Sequence, residues 1–221
     1  MTQDMVGGKQ VRAYRFLDDN RLELSVVAAN GQAAQAFMNT FLAAAAAGLA
    51  WALIERFRDG HFTNLGVASG IVAGLVAITP AAGFVSGVAP LIIGAVAGAA
   101  CCYAVRVKFS LGFDDALDVV GVHFVGGLVG SLMIGFFANP DFFGLDFKEG
   151  IFFGGGASLL GEQALANGVT IVYSFIVTFA IMKALAATIG IRVSDEEETM
   201  GLDASEHAET AYHSDVTMGR T

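Results

Sequence analysis

Apolar runs separated by polar links pattern most of the chain, and their lengths predict helices rather than strands. A helix needs about 20 largely apolar residues to cross about 30 Å of hydrocarbon. Five such spans can be read: residues 33–54, 64–78, 88–105, 116–138 and 168–189. The second is short and meets Thr79-Pro80. A kinked continuation to Phe84 is compatible with it, because neighbouring helices satisfy the groups a proline frees. The link from Asn139 to Asn167 carries Phe142, Phe143, Phe147, Phe152 and Phe153 among glycines. A loop of that length is often functional, but five phenylalanines read first as packing against helix ends or the membrane interface. Residues 1–24 show neither helical nor strand periodicity.

Small residues recur at fourfold spacing within the spans. Gly66, Gly70 and Gly74 lie on the second, Gly94 and Gly98 on the third, Gly126 and Gly130 on the fourth. Such stripes let helix backbones approach closely in lipid, where packing drives association. They predict a tight bundle, not a phosphate loop. Gly154-Gly155-Gly156 lacks the Lys-Ser/Thr of a nucleotide site.

Composition agrees with a polytopic membrane protein: 55% of the 221 residues are hydrophobic and 15% charged. Eight of 21 acidic residues fall in the last 30, so the net charge of −9 describes a tail. That balance excludes nucleic-acid binding. Cys101 and Cys102 are adjacent, which matches neither a disulfide framework nor a zinc spacing. The polar, charged start does not read as a cleavable signal. Arg56, Arg58, Arg106, Lys108 and Arg192 lie on alternate links, against Lys148 alone on the others. This bias places the C-terminus in the cytoplasm, with Trp51 and Tyr103 near the inner interface. Lys9, Arg12, Arg15 and Arg21 pull the other way and conflict with everything downstream.

Candidate chemistry centres on His123, an imidazole in the apolar run of the fourth span. An ionisable group at membrane depth is costly and a functional-site hypothesis by default; a packing histidine satisfied by a helix carbonyl is the alternative. Asp114, Asp115 and Asp118 cluster where that span begins, a place that favours capping carboxylates. On a continuous α-helix Asp118 would lie about 140° from His123, which argues against an Asp–His dyad and an enzyme. Val119, four residues before His123, would share its face. The imidazole is then presented on an aliphatic surface.

Three stretches resemble the ammonium transporter (Amt/Mep/Rh) family. Residues 114–127, Asp-Asp-Ala-Leu-Asp-Val-Val-Gly-Val-His-Phe-Val-Gly-Gly, look like its signature around the second of two paired pore histidines. Ala68 through Gly83 and the tail from Gly190 to His207 are similar to two further family stretches, and the resemblance covers about residues 23–215. It implies a homotrimer in the cell membrane, each subunit enclosing a pore in eleven helices built as two inverted five-helix repeats. It implies that ammonium loses its proton at an outer vestibule and that ammonia crosses past the histidines, with no cofactor and no metal. His123 would be a pore histidine, Val119 a pore-wall residue and Asp118 a structural carboxylate at the helix start. The tail would be where a PII-type regulator acts.

The five spans correspond to the last five of the eleven. The expected division is therefore an aberrant segment over residues 1–22, read out of frame or from a wrong start, an all-α transmembrane region over 23–190 and an acidic cytoplasmic tail over 191–221. The alternative function is that of a non-conducting fragment, at most an assembly or interference partner of full-length subunits.

Overall fold

Alanine and glycine dominate the positions where the first helices touch, and this sets how close they come. The computed structural model describes residues 31–209 in full and the backbone of residues 12–16 and 22–26. It divides into two units, Met1–Gly168 and Val169–Thr221.

In the first unit, α1 (Gly31–Arg58) packs against α2 (Asn64–Ile78) and α3 (Ala89–Ala104). Ala43 and Ala47 of α1 are fully buried between them. A β-carbon added to Gly70 would fall 2.7 Å from Trp51 Cβ, and one on Gly74 would fall 2.7 Å from Ala47 Cβ. Gly94 and Gly98 have no more room against the backbone of Ala43 and Ala47. The glycine stripes are thus contact faces. After α3 the chain continues through α4 (Val107–Leu111), which ends at Gly112 with φ +69°. A π-helical turn over Val119–Phe124 then leads into α5 (Val125–Phe137). A short α6 (Pro140–Phe143) and a 3₁₀ turn (Ile151–Phe153) precede α7 (Ser158–Thr188).

Between α2 and α3 the chain leaves helical geometry but keeps a run of hydrogen-bonded turns. Thr79 Oγ1 donates to the Leu75 carbonyl at 2.6 Å, and hydrogen-bonded turns run on past Pro80 to Val85. The fully buried Asn39 amide donates to the carbonyls of Ala82 and Val85, both at 2.8 Å. Gln32 donates to the Gly83 carbonyl at 3.2 Å, and the Asn139 backbone amide to Phe84 at 2.9 Å. The second helix proper therefore stops at Ile78, and the kinked continuation is a string of turns.

Within the second unit, every residue from Val169 to Gly190 is exposed. The tail forms α8 (Asp195–Met200) and α9 (Leu202–Glu206). Ser194 and Glu197 close a capping box at the start of α8.

Among the described residues four helical stretches are long and apolar enough to cross a membrane: Gly31–Arg58, Ala89–Leu111, Val119–Phe137 and Ser158–Thr188. The stretch Asn64–Ile78 is apolar but shorter. The architecture is that of a membrane helical bundle, and residues 31–209 are helical or irregular save for one isolated bridge between Val85 and Ala138.

Several expectations are corrected. The last span starts ten residues earlier than the apolar pattern suggests, because polar residues of its first turns are used as contacts: Ser131 Oγ donates to Gln163 Oε1 at 2.7 Å and Asn167 to Ser131 Oγ at 3.1 Å. Trp51 does not face lipid at the interface; it is buried, its indole N–H donating to Glu55 at 3.0 Å. The all-α reading holds for the bundle, but the stretch 1–24 does carry a strand signal: β1 (Arg12–Phe16) pairs antiparallel with β2 (Leu22–Val26), Tyr14 opposite Leu24. The alternation Leu22, Leu24, Val26 with Glu23 and Ser25 carries that strand signal. Most of the segment 1–22 and residues 210–221 of the tail lie outside the described residues.

Candidate functional site

One end of the first unit carries Arg58, Arg106 and Lys108. Arg58 bonds Asp59 at 2.7 Å and reaches Cys102 Sγ at 3.7 Å. Arg106 lies 3.7 Å from Asp59. The Arg58 hydrogen bond holds the Asp59 carboxyl below its ordinary range. Glu55 caps the start of α2 from the same end, accepting the Thr63 amide at 2.8 Å.

The His123 turn begins beside this cluster. Asp118 has φ +53°, a left-handed conformation uncommon for a residue with a β-carbon. Its carbonyl accepts the Val122 amide at 2.8 Å. Its carboxylate does not cap the turn but accepts from Lys108 Nζ at 2.6 Å. Capping falls to Asp115, whose two oxygens accept the amides of Val119 at 2.7 Å and Val120 at 2.9 Å. Of the three clustered aspartates, Asp115 is the one that satisfies the orphan donors of the turn. The turn then closes with the Val125 amide on the Val120 carbonyl, an i to i−5 bond. Such π turns are rare and frequent at functional sites.

His123 is exposed on this turn, and no hydrogen bond joins its ring to any group among the described residues. Val119 is 52% exposed, and Val120 and Phe124 are also exposed. On the opposite side Gly121 and Val122 are buried against α3, where a β-carbon on Gly121 would meet the Val105 backbone and Cys101 Sγ donates to the Val122 carbonyl at 3.7 Å. The turn is therefore anchored by one face and offers an apolar face bearing one imidazole. The 140° separation of Asp118 and His123 presumed one continuous α-helix; Asp118 instead precedes the turn. The two side chains do not bond each other among the described residues, and Asp118 is held by Lys108.

Sequence reasoning missed two residues. Lys108 entered only as a loop charge, and its separations of seven residues from Asp115 and ten from Asp118 exceed the three or four residues at which side chains of one helix meet. Asn39 is a single amide in an alanine-rich run. Among the described residues no three metal-binding side chains converge.

Comparison with known proteins follows the same lines. The model of the Ammonium Transporter Family matches residues 24–212. An ammonium transporter of Mycobacterium tuberculosis is 49% identical over 199 residues, 88% of this chain and 42% of the relative. An ammonium transporter of Bacillus subtilis is 44% identical, over 85% of this chain and 46% of its own length. The chain thus spans less than half the length of these curated relatives. Among solved structures, Saccharomyces cerevisiae Mep2 superposes with a TM-score of 0.69 at 36% identity, over 75% of this chain and 38% of Mep2. A Sensor Amt Protein gives 0.71 at 29% identity, over 82% of this chain and 43% of that one.

Proposed function

The chain belongs to the ammonium transporter family, and from that premise we propose that it forms part of an ammonium channel whose pore is lined by His123 and Val119. The observation that carries this reading is the exposed imidazole on the apolar face of the π turn, at the start of a span-length helix. A permanently charged cation is expensive at membrane depth, whereas ammonia is not. A neutral imidazole donates from one ring nitrogen and accepts at the other, so it guides a polar, uncharged molecule through an aliphatic wall without fixing an ion there. Asp118 supports the pore helix from its start. The five helical segments correspond to the last five of eleven, within a homotrimer. The C-terminus is cytoplasmic, in keeping with the Lys/Arg bias, and its acidic tail over 191–221 is where a PII-type regulator acts. Residues 23–190 form the membrane region.

The test is a chimera in which residues 31–209 replace the matched segment of the Bacillus subtilis transporter, expressed in a host without ammonium transporters. Methylammonium uptake is expected, falling at least about tenfold with His123→Leu, a rise of about 1.4 kcal/mol in the passage barrier. A chimera that reaches the membrane and takes up nothing overturns the proposal.

A second reading is that these 221 residues alone do not conduct and serve at most as an assembly or interference partner. It is favoured by the exposure of Val119, Val120 and Phe124: among the described residues nothing closes over that face.

A further inference from the structure

We infer that Lys108 is a positioning residue for His123, clamping the reverse turn from which the π turn starts; this rests on the pore reading of His123. Lys108 sits on α4, a separate element beyond α3, and its ammonium bonds two points of the 115–118 turn. Nζ donates to the Asp115 carbonyl at 2.7 Å and to Asp118 Oδ1 at 2.6 Å. The Asp115 carbonyl also accepts the Asp118 amide at 3.2 Å, so the cation lies on the hydrogen bond that closes the turn.

What the clamp holds is unusual in itself. A left-handed, non-glycine Asp118 persists only where its surroundings over-determine it. Lys108 supplies that restraint through the Asp118 carboxylate. Asp115 in turn passes the geometry on, because its carboxylate orders the first two amides of the turn that carries His123. The chain of contacts is continuous: α4, Lys108, the 115–118 turn, Val119 and Val120, His123. A surface ion pair would be flexible and worth little, but the Lys108 side chain is only 15% exposed and is tied at two points. A displacement of α4 therefore reaches the imidazole through one side chain. A methionine at position 108 keeps an unbranched side chain one atom shorter but loses the charge that holds Asp118.

The test uses the full chain in lipid nanodiscs with isotope-labelled histidine, read by NMR of the imidazole rings. The chain contains four histidines, His61, His123, His207 and His213; the His123 signal is assigned by its loss in His123→Leu. Lys108→Met is expected to displace or split the His123 signal and leave that of His61, on the neighbouring link, in place. An unchanged His123 signal overturns the proposal. If Lys108→Met disturbs His61 as well, Asp118→Asn decides, since it keeps the side-chain volume and removes only the charge. Displacement of His123 alone upholds the clamp; displacement of both signals or of neither overturns it. The chimera uptake assay does not enter this readout. Uptake unaffected by His123→Leu would remove the pore reading and leave the clamp standing as a structural fact.

Discussion

A buried amide is costly in an apolar bundle unless its polar atoms are paired, and Asn39 shows how that pairing organises the helices around it. Its two N–H groups end on Ala82 and Val85, and its oxygen accepts from Gln35 Nε2 at 2.8 Å. Asn39→Leu keeps the branched shape but makes the side chain apolar, and strips two carbonyls of their donor in the break between α2 and α3. The expected cost is about 2 kcal/mol or more, measured by denaturant titration in mixed micelles. An unchanged midpoint would show that water or a neighbour replaces the amide. At this scale a sequence draws the eye to residues that are costly in lipid, such as a histidine in an apolar run. Asn39 escapes because one amide hardly alters the hydropathy of a run of alanines. Lys108 escapes because what it does depends on the chain turning back after α4 to bring Asp115 and Asp118 to its ammonium, which no periodicity encodes.

Helices α7 and α8 show two ways in which polar residues set element boundaries. The apolar pattern delays α7 to Gly168 because Glu162, Gln163 and Asn167 break its hydropathy. In the fold, Gln163 and Asn167 face Ser131 on α5, and Glu162 pairs with Lys148. A double-mutant cycle on Ser131→Ala and Gln163→Leu should return a coupling of about 0.6 kcal/mol, typical between membrane helices. Zero coupling would show that the contact contributes nothing to holding the helices. At α8, Glu197 accepts from the Ser194 hydroxyl at 2.7 Å and amide at 2.8 Å, which holds its pKa below the usual glutamate range. A depressed folded pKa contributes stability above the unfolded value of about 4.3 and loses it as pH falls through the folded value. Backbone chemical shifts of residues 195–200 should therefore stay helical down to about pH 4.3 and move toward coil below it. With Ser194→Ala the helical shifts above about pH 4.3 should be weaker and their loss on acidification smaller; coincident curves would refute the capping account.

At the scale of the molecule, long apolar spans and glycine stripes are legible because both are set by local spacing, and the stripes do meet Ala43, Ala47 and Ala77 where they are buried. The gathering of Arg58, Arg106 and Lys108 at one end follows from helices alternating in direction. The strand pair before α1 was harder to see, since five alternating residues in β2 are a weak signal beside four basic residues. With the His123 face uncovered, the 221-residue chain expressed alone should give no methylammonium uptake in a transporter-deficient host. Uptake that His123→Leu abolishes would sink that expectation and show that the chain closes its own pore. The π turn also has a meaning as bookkeeping along the chain: it is an α-helix carrying one residue too many. Deleting Val120 would let α5 extend as a regular helix, with better hydrogen bonding and greater resistance to unfolding. It would also rotate everything before the deletion by about 100° relative to α5, turning Val119 and Asp118 out of register with His123. A shortened chimera that is more stable and transports less would identify the surplus residue as an insertion kept for aim rather than strength.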